Sequence, residues 1–205
     1  MGNPDVTLRT LLDQIESKDV YTSIHSNRVL LFTKIVLGKL DLAGTEDVLV
    51  AAALHDIGKI ELDNETLNCT KRLTPEQIRM LRSHPEIGAK LLTRLPVNPA
   101  VRAMVLHHHE SFDGSGYPHR LAGDAIPVGA RIISVVDSFD AMTSDRVYRR
   151  AMSNEDAFTE LRRFAGSQFD PDIVELFVSE LPRYPMKRED ISSAERSLYA
   201  NLSLL

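Results

Sequence analysis

A histidine and an aspartate stand side by side at the end of an apolar segment, and this pair is the strongest chemical signal in the chain. His55 and Asp56 follow residues 48–53, which are all apolar and half of them alanine. Such a segment favours a buried helix. Burying a carboxylate is costly unless a cation accompanies it. The sequence therefore predicts a metal ion beside His55 and Asp56.

Further side chains suited to metal binding recur along the chain. Of the 7 histidines, six are expected at helix ends or corners: His25, His55, His84, His107, His108 and His109. Asp137 follows a mostly apolar stretch, where an unpaired carboxylate would be strongly destabilising. Cys69 is the single cysteine, so a cysteine ligand set is not available. Imidazole and carboxylate ligands favour iron, manganese, zinc, cobalt or nickel. Five or six such ligands and a bridging carboxylate exceed the need of one ion, so two ions are predicted.

Each of these residues also has an ordinary structural explanation. His25 alone could be a core or surface histidine, and His84 before Pro85 could simply cap a helix. Three consecutive histidines, residues 107–109, could be a surface accident. Neighbouring residues on a helix point about 100° apart, so at most two of these three can face one site. The coincidence of all the residues favours the metal site.

Helices must position these side chains, because helical periodicity runs through most of the chain. The apolar spacing predicts helices near residues 6–15, 21–40, 45–58, 75–83, 86–95, 99–107, 128–143, 154–164, 171–180 and 188–205. Residues of N-cap type precede several of them: Thr45, Thr74, Asn98, Ser153 and Asp170. In the second helix, Ile24, Leu31 and Ile35 are expected to face the core. The predicted fold is all-α, and the last helix could pack on the body or on a second copy of the chain.

Residues 110–127 interrupt the helical pattern. They are rich in glycine and proline and contain the segment Gly116-Tyr117-Pro118. Such a composition predicts a structured loop of turns. A loop of this length is more often functional than a mere connection.

Composition limits the classes of function. The 205 residues include 24 Lys and Arg against 29 Asp and Glu, which gives a net charge of −5. This balance argues against long nucleic acid as a partner, whereas a small phosphate-bearing ligand held by a few cations stays open. The chain has no apolar run long enough to cross a membrane and no signal-peptide pattern. We expect a cytoplasmic protein in a reducing compartment, without a membrane anchor.

The order of these motifs resembles the HD-GYP family, a branch of the all-helical HD-domain metal-dependent phosphohydrolases. The resemblance is carried by residues 55–59, by residues 108–110 and 113–118, and by residues 130–137, and it covers about residues 18–181. It implies an HD-domain helical bundle with a long Gly/Pro-rich loop and an extra C-terminal helix. The implied division is an N-terminal helix in residues 1–17, the catalytic domain in residues 18–181 and the C-terminal helix in residues 182–205.

The resemblance implies seven metal ligands arranged around two divalent ions. His25, His55 and Asp137 would complete one side, His84, His108 and His109 the other, and Asp56 would bridge the ions. His107 is then a neighbour of these ligands and not one of them. Tyr21 stands where some family members have a glutamate that could bind a third ion, so two ions are favoured. Iron or manganese is expected before zinc, nickel or cobalt.

Family members hydrolyse cyclic di-GMP to the linear dinucleotide pGpG and in some cases to GMP, and the resemblance implies the same reaction here. Two ions about 3.5 to 4 Å apart can hold a hydroxide between them and stabilise the phosphate during in-line attack. Asp56 and Lys59 are the predicted catalytic residues. The resemblance also places Lys59, Arg146 and Arg149 on the substrate, and arginine suits bidentate contact with phosphate. A solvated surface lysine is the ordinary explanation for Lys59.

Several alternatives stay open. The chain could be a non-hydrolysing cyclic dinucleotide sensor or docking module, or it could act on another nucleotide. Asp140, one turn beyond Asp137, could orient a ligand or the substrate, or could lie on the helix surface. Tyr117 is expected in a rigid loop beside the metal pocket, and that loop could also dock a GGDEF-type diguanylate cyclase. A homodimer is compatible with the last helix.

Overall fold

The computed structural model describes residues 8–18, 20–67, 69, 71–145 and 150–184, and these residues form helices joined by turns and loops, without a β-strand. The α-helices are α1 (Leu8–Lys18), α2 (Val20–Leu37), α3 (Thr45–Leu54), α4 (Asn64–Leu67), α5 (Pro75–Arg82), α6 (His84–Leu92), α7 (Pro99–His107), α8 (Val128–Thr143), α9 (Asn154–Arg163) and α10 (Pro171–Glu180). Short 3₁₀ helices cover Ile57–Glu61, Gly123–Ala125 and Leu181–Arg183. The all-α prediction is confirmed.

The predicted helix beginnings agree well with the structure. Side chains cap the helices at Thr74, Asn98, Ser153 and Asp170, as predicted. Thr74 forms a full capping box with Gln77, in which each side chain bonds the other residue's backbone N–H. The exception is α3, where Thr45 is already helical and the cap is Gly44 with φ of 74°.

The helix that leads to His55 is shorter than predicted, and this difference creates the site. We expected it to continue to Gly58, but α3 ends at Leu54, and a 3₁₀ helix begins at Ile57. Gly58 packs against the first turn of α6, so closely that an added Cβ would lie 2.0 Å from the carbonyl oxygen of His84. His55 and Asp56 therefore lie in a turn between two helical segments.

The core is built around α2, α8 and α10. Phe32, Phe139 and Phe177 meet edge to face, with ring centroids 5.1 to 5.9 Å apart, and all three are buried. The inward face of α2 was predicted incorrectly at Ile24, which is 46% exposed, whereas Val29 is fully buried. The buried face of α2 includes Thr22, His25 and Val29, and Ile24 points about 100° away from His25.

The predicted last helix, residues 188–205, lies outside the described residues, as do residues 6 and 7 at the start of the first predicted helix. The domain boundaries predicted near residues 17 and 182 stay predictions. Among the described residues, no helix combines the length and the apolar character needed to cross a membrane.

Candidate metal centre

Two groups of metal-ligand atoms lie beside each other in the helical bundle. Ligand atoms of His25, His55 and Asp137 lie within 4.8 Å of one another, and so do those of His84, His108 and His109. In the first group, His25 lies in α2, His55 in the turn after α3, and Asp137 in α8. In the second, His84 begins α6, and His108 and His109 follow the end of α7. The structure thus brings six of the predicted ligands together in the two groups predicted.

Asp56 lies between the two groups. Its Oδ1 is 3.3 Å from Nε2 of His84, in one group. Its Oδ2 is 3.6 Å from Nε2 of His55 and 3.9 Å from Nε2 of His25, in the other. Each carboxylate oxygen therefore faces a different group, which is the arrangement that a bridging ligand requires.

The backbone fixes the orientation of three imidazole rings. Nδ1 of His55 lies 2.8 Å from the carbonyl oxygen of Ala52. Nδ1 of His84 lies 2.6 Å from that of Leu81, and Nδ1 of His108 lies 2.7 Å from that of Val105. A ring nitrogen that faces a carbonyl carries the proton, so the lone pair of each ring is on Nε2. All three histidines are buried, and each presents a lone pair where a cation could bind.

The donor set fits a divalent cation better than it fits a closed hydrogen-bond network. Nε2 of His55 is buried and has no hydrogen-bond partner among the described residues. Nε2 of His84 and Nε2 of His108 lie only 3.2 Å apart, and two lone pairs at this distance repel unless a cation or proton lies between them. Nitrogen and carboxylate ligands suit borderline first-row ions. The clusters could therefore bind metal.

Asp140 orients His25 and is not a surface residue. Its Oδ2 lies 2.7 Å from Nδ1 of His25, and its side chain is 1% exposed. Arg28 pairs with the same carboxylate, with Nη2 at 2.9 Å from Oδ2. Of the three roles considered for Asp140, orientation of a predicted ligand residue is the one that the geometry supports.

His25 differs electrostatically from the other ligand histidines. Burial alone would lower its pKa, but hydrogen bonds to Asp137 and Asp140 outweigh burial and raise the pKa to about 9. Nε2 of His25 is 3.0 Å from Oδ1 of Asp137. Without a bound cation this ring is protonated near neutral pH, so a metal ion must displace that proton.

Three other histidines and Asp56 are already in the protonation states that metal binding needs. Burial lowers the pKa of His84 to about 3 and that of His109 to about 4, and it lowers the pKa of His108 well below its usual value. Burial alone would raise the pKa of Asp56, but Lys59 and the nearby histidines hold it well below its usual value. These three imidazoles are therefore neutral, and the carboxylate of Asp56 is ionised.

Lys59 lies at the rim of the centre. Its Nζ is 2.6 Å from Oδ2 of Asp56, and its side chain is 26% exposed. It is therefore not simply a solvated surface lysine. Its ammonium group balances the charge of Asp56, while part of the side chain faces solvent, where a ligand would approach.

The comparison with known proteins identifies the family. The family model described as HD domain matches residues 11–173. The chain belongs to the HD-domain family. This confirms the family predicted from the motifs, and the fold is accordingly an HD-domain helical bundle.

Curated relatives of this HD domain are named cyclic dinucleotide phosphodiesterases. A "Cyclic di-GMP phosphodiesterase" of Thermotoga maritima is 35% identical over 167 residues, which are 80% of this chain and 45% of the relative. The "Cyclic di-GMP phosphodiesterase response regulator RpfG" of Xanthomonas campestris is 37% identical over 174 residues, which are 82% of this chain and 46% of the relative. The chain thus spans about half the length of these relatives.

Solved HD-domain structures share the fold. The cyclic GMP-AMP specific phosphodiesterase V-cGAP3 of V. cholerae superposes with a TM-score of 0.66 at 20% identity, over 91% of this chain and 51% of that one. The HD domain of the phosphodiesterase PgpH of L. monocytogenes gives a TM-score of 0.56 at 19% identity, over 94% of this chain and 97% of that one. At these identities the likeness shows the fold alone.

The Gly-Tyr-Pro segment of this HD domain packs directly on a predicted ligand. The ring of Tyr117 stacks on His109, with centroids 5.0 Å apart and planes 24° apart, and Tyr117 N–H donates to the His109 carbonyl at 3.2 Å. Gly116 approaches the backbone so closely that an added Cβ would lie 2.1 Å from the nitrogen of Ser111. This supports the predicted rigid loop beside the pocket.

Two arginines near this site were not predicted from the sequence, and two predicted arginines lie outside the described residues. Arg28 was missed, although it lies three residues after His25 on the same helix face, a spacing that could have indicated it. Arg82, whose guanidinium carbon lies 5.2 Å from the centre of the Tyr117 ring, had no local signal. Arg146 and Arg149 lie outside the described residues.

Proposed function

We propose that this HD domain is a metal-dependent phosphodiesterase that hydrolyses cyclic di-GMP to pGpG. The observation that carries the proposal is the position of Asp56, whose two oxygens face two separate groups of ligand atoms. The names of the relatives from T. maritima and X. campestris support cyclic di-GMP as the substrate. Further hydrolysis to GMP is a second step that the same centre could perform.

Two divalent ions would be held by the seven predicted ligands. One would bind His25, His55 and Asp137, the other His84, His108 and His109, and Asp56 would contact both. Iron or manganese is proposed first, with zinc, nickel or cobalt as alternatives, because this ligand type accepts all of these ions. When bound, the ions would supply an activated water and the positive charge that stabilises the attacked phosphate.

The side chains of the domain would prepare the site for this chemistry. Asp140 and Arg28 hold the His25 ring in place, and Tyr117 covers one side of His109. Lys59 is proposed to bind a phosphoryl oxygen of the substrate from the rim. Arg146 and Arg149 are proposed to grip the phosphate and guanine groups, as the family resemblance implies.

A second substrate class has support of its own. The "3'3'-cGAMP-specific phosphodiesterase 2" of Vibrio cholerae is 32% identical over 172 residues, which are 82% of this chain and 33% of the relative. A mixed cyclic dinucleotide is therefore the second candidate substrate. A non-hydrolysing sensor is the alternative to catalysis, and docking of a GGDEF-type cyclase on the Tyr117 loop and a homodimer stay predictions.

The test is turnover by the purified protein. The chain is loaded anaerobically with Mn²⁺ or Fe²⁺, supplied with cyclic di-GMP or 3'3'-cGAMP, and the products are separated by chromatography. We expect pGpG from cyclic di-GMP, with loss of turnover in Asp56→Asn. Asp41→Asn, a change at an exposed loop aspartate, serves as the matched control and should remain active. Saturable nucleotide binding without product would refute the hydrolase and support the sensor.

A further inference from the structure

A third group of ligand atoms lies outside the central pocket. His107 is the last residue of α7, Glu110 follows three residues later, and His119 lies in the loop of residues 110–127. Ligand atoms of these three residues lie within 4.8 Å of one another. Neither the proposed hydrolysis nor the family resemblance assigns them a role.

The ring of His107 is oriented in the same way as the central ligands. Its Nδ1 lies 2.8 Å from the carbonyl oxygen of Ala103, so its lone pair is on Nε2. That nitrogen is 2.9 Å from Nδ1 of His119. Either His119 donates a hydrogen bond to it, or both nitrogens present lone pairs to a shared cation.

Glu110 supplies a buried carboxyl group at the same place. Glu110 is only 3% exposed. Its two carboxylate oxygens accept hydrogen bonds from the backbone N–H groups of His119 at 2.7 Å and Leu121 at 3.1 Å. An ionised carboxylate has about four acceptor positions, so two remain. The backbone therefore fixes the carboxylate beside the two imidazoles and leaves it able to bind a cation.

We propose that His107, Glu110 and His119 form a third divalent metal site, which takes Zn²⁺ or a similar borderline ion. Two histidines and one glutamate form a recognised zinc ligand set, whereas Mg²⁺ and Ca²⁺ prefer oxygen ligands. Two nitrogens bound tetrahedrally to one zinc ion lie roughly 3.3 Å apart, as zinc–nitrogen bonds of about 2.05 Å require. The two imidazoles need to separate only slightly from 2.9 Å.

The position of this site suggests a structural role. His119 follows the Gly-Tyr-Pro segment by one residue, and His107 precedes the central ligands His108 and His109. An ion bound here would link the end of α7 to the loop that contains Tyr117. The proposal goes beyond the hydrolase assignment and does not depend on it, because metal binding can be measured without turnover.

The experiment counts zinc ions bound by the full chain. Metal-free protein is dialysed against buffered micromolar Zn²⁺, and bound zinc is measured by mass spectrometry for the natural chain, His119→Gln and Arg120→Gln. His119 and Arg120 are both exposed, so Arg120→Gln is a matched control in the same loop. We expect His119→Gln to bind one zinc ion fewer than the natural chain and Arg120→Gln to bind the same number.

Thermal unfolding of the metal-free variants checks that His119→Gln keeps its fold. A crystal of the zinc-loaded natural chain should show an anomalous peak between Nε2 of His107 and Nδ1 of His119. Equal zinc content in His119→Gln and the natural chain would overturn the proposal. It would then follow that the two imidazoles form an ordinary hydrogen bond.

Discussion

Nδ1 of His25 lies 2.7 Å from Oδ2 of Asp140, and both side chains are buried. The first prediction is that Asp140→Asn lowers metal affinity and activity by about 10- to 100-fold, as loss of an orienting partner of a ligand histidine commonly does. Raising the Mn²⁺ concentration should recover most of the activity, because the contact of Asp140 is with His25, a predicted ligand. Metal titration of turnover measures this, with Asp41→Asn as the control. A loss that excess metal leaves unchanged would contradict the positioning role.

Metal binding should release a proton near neutral pH. The pKa of His25 is raised to about 9 by its hydrogen bonds to Asp137 and Asp140, against the effect of burial. The ion therefore displaces a proton below that pH, and metal affinity should rise by about tenfold per pH unit between pH 7 and 9. Calorimetric titration with Mn²⁺ in two buffers of different ionisation enthalpy counts the protons released. A binding enthalpy that is independent of the buffer would show that His25 is not the displaced group.

The metal-free protein should lose stability in mild acid. His84 and His109 have pKa values lowered to about 3 and about 4, mainly by burial, whereas in the unfolded chain they titrate near 6.5. The unfolded state therefore binds more protons between about pH 4 and 6.5, and the free energy of unfolding falls as the pH falls through that range. Each group contributes up to about 1.4 kcal/mol per pH unit.

Urea unfolding at several pH values, with a chelator present, measures this loss. His25 should not add to it, because its raised pKa keeps the folded state protonated while the unfolded chain takes up this proton only near pH 6.5, which favours the folded state as the pH falls. Saturating Mn²⁺ should reduce the loss near pH 6, where the folded state is held by the bound ions. A constant free energy of unfolding between pH 6.5 and 5 would contradict the prediction.

The sequence predicted where helices begin better than it predicted their inward faces and their ends. Caps such as Thr74 depend on neighbours in the chain and were predicted correctly. The inward face of α2 depends on what packs against it, and the prediction failed at Ile24. The end of α3 depends on the approach of Gly58 to α6, which no local pattern reveals. For the same reason, Arg82 could be connected with Tyr117 only in three dimensions.

The aromatic ring of Tyr117 should matter more than its hydroxyl. The ring stacks on His109 at a centroid distance of 5.0 Å, and Arg82 lies against the same ring. Tyr117→Ala removes both contacts and should cost about 1 kcal/mol through the stacking alone, and it should also weaken Mn²⁺ binding. Tyr117→Phe keeps the ring and is the matched control. Urea unfolding and Mn²⁺ affinity of both variants check this, and equal losses in the two variants would assign the effect to the hydroxyl.

Gly58 sets the distance between the His-Asp turn and α6. A Cβ at this position would lie 2.0 Å from the carbonyl oxygen of His84 and 2.7 Å from the nitrogen of Gly88. Because both obstacles are backbone atoms, Gly58→Ala must shift α6 and with it His84, a predicted ligand. We expect a loss of about 1 to 3 kcal/mol in stability, as overpacking of a core typically produces, together with weaker metal binding.

Gly38→Ala is the matched control for this change. A Cβ at Gly38 meets nothing closer than 3.5 Å, so the same substitution should leave both properties nearly unchanged. Urea unfolding and Mn²⁺ titration of the two variants make the comparison. If Gly58→Ala is as stable as Gly38→Ala and binds Mn²⁺ equally well, α6 can move without cost, and the close approach at Gly58 does not determine where His84 lies relative to Asp56.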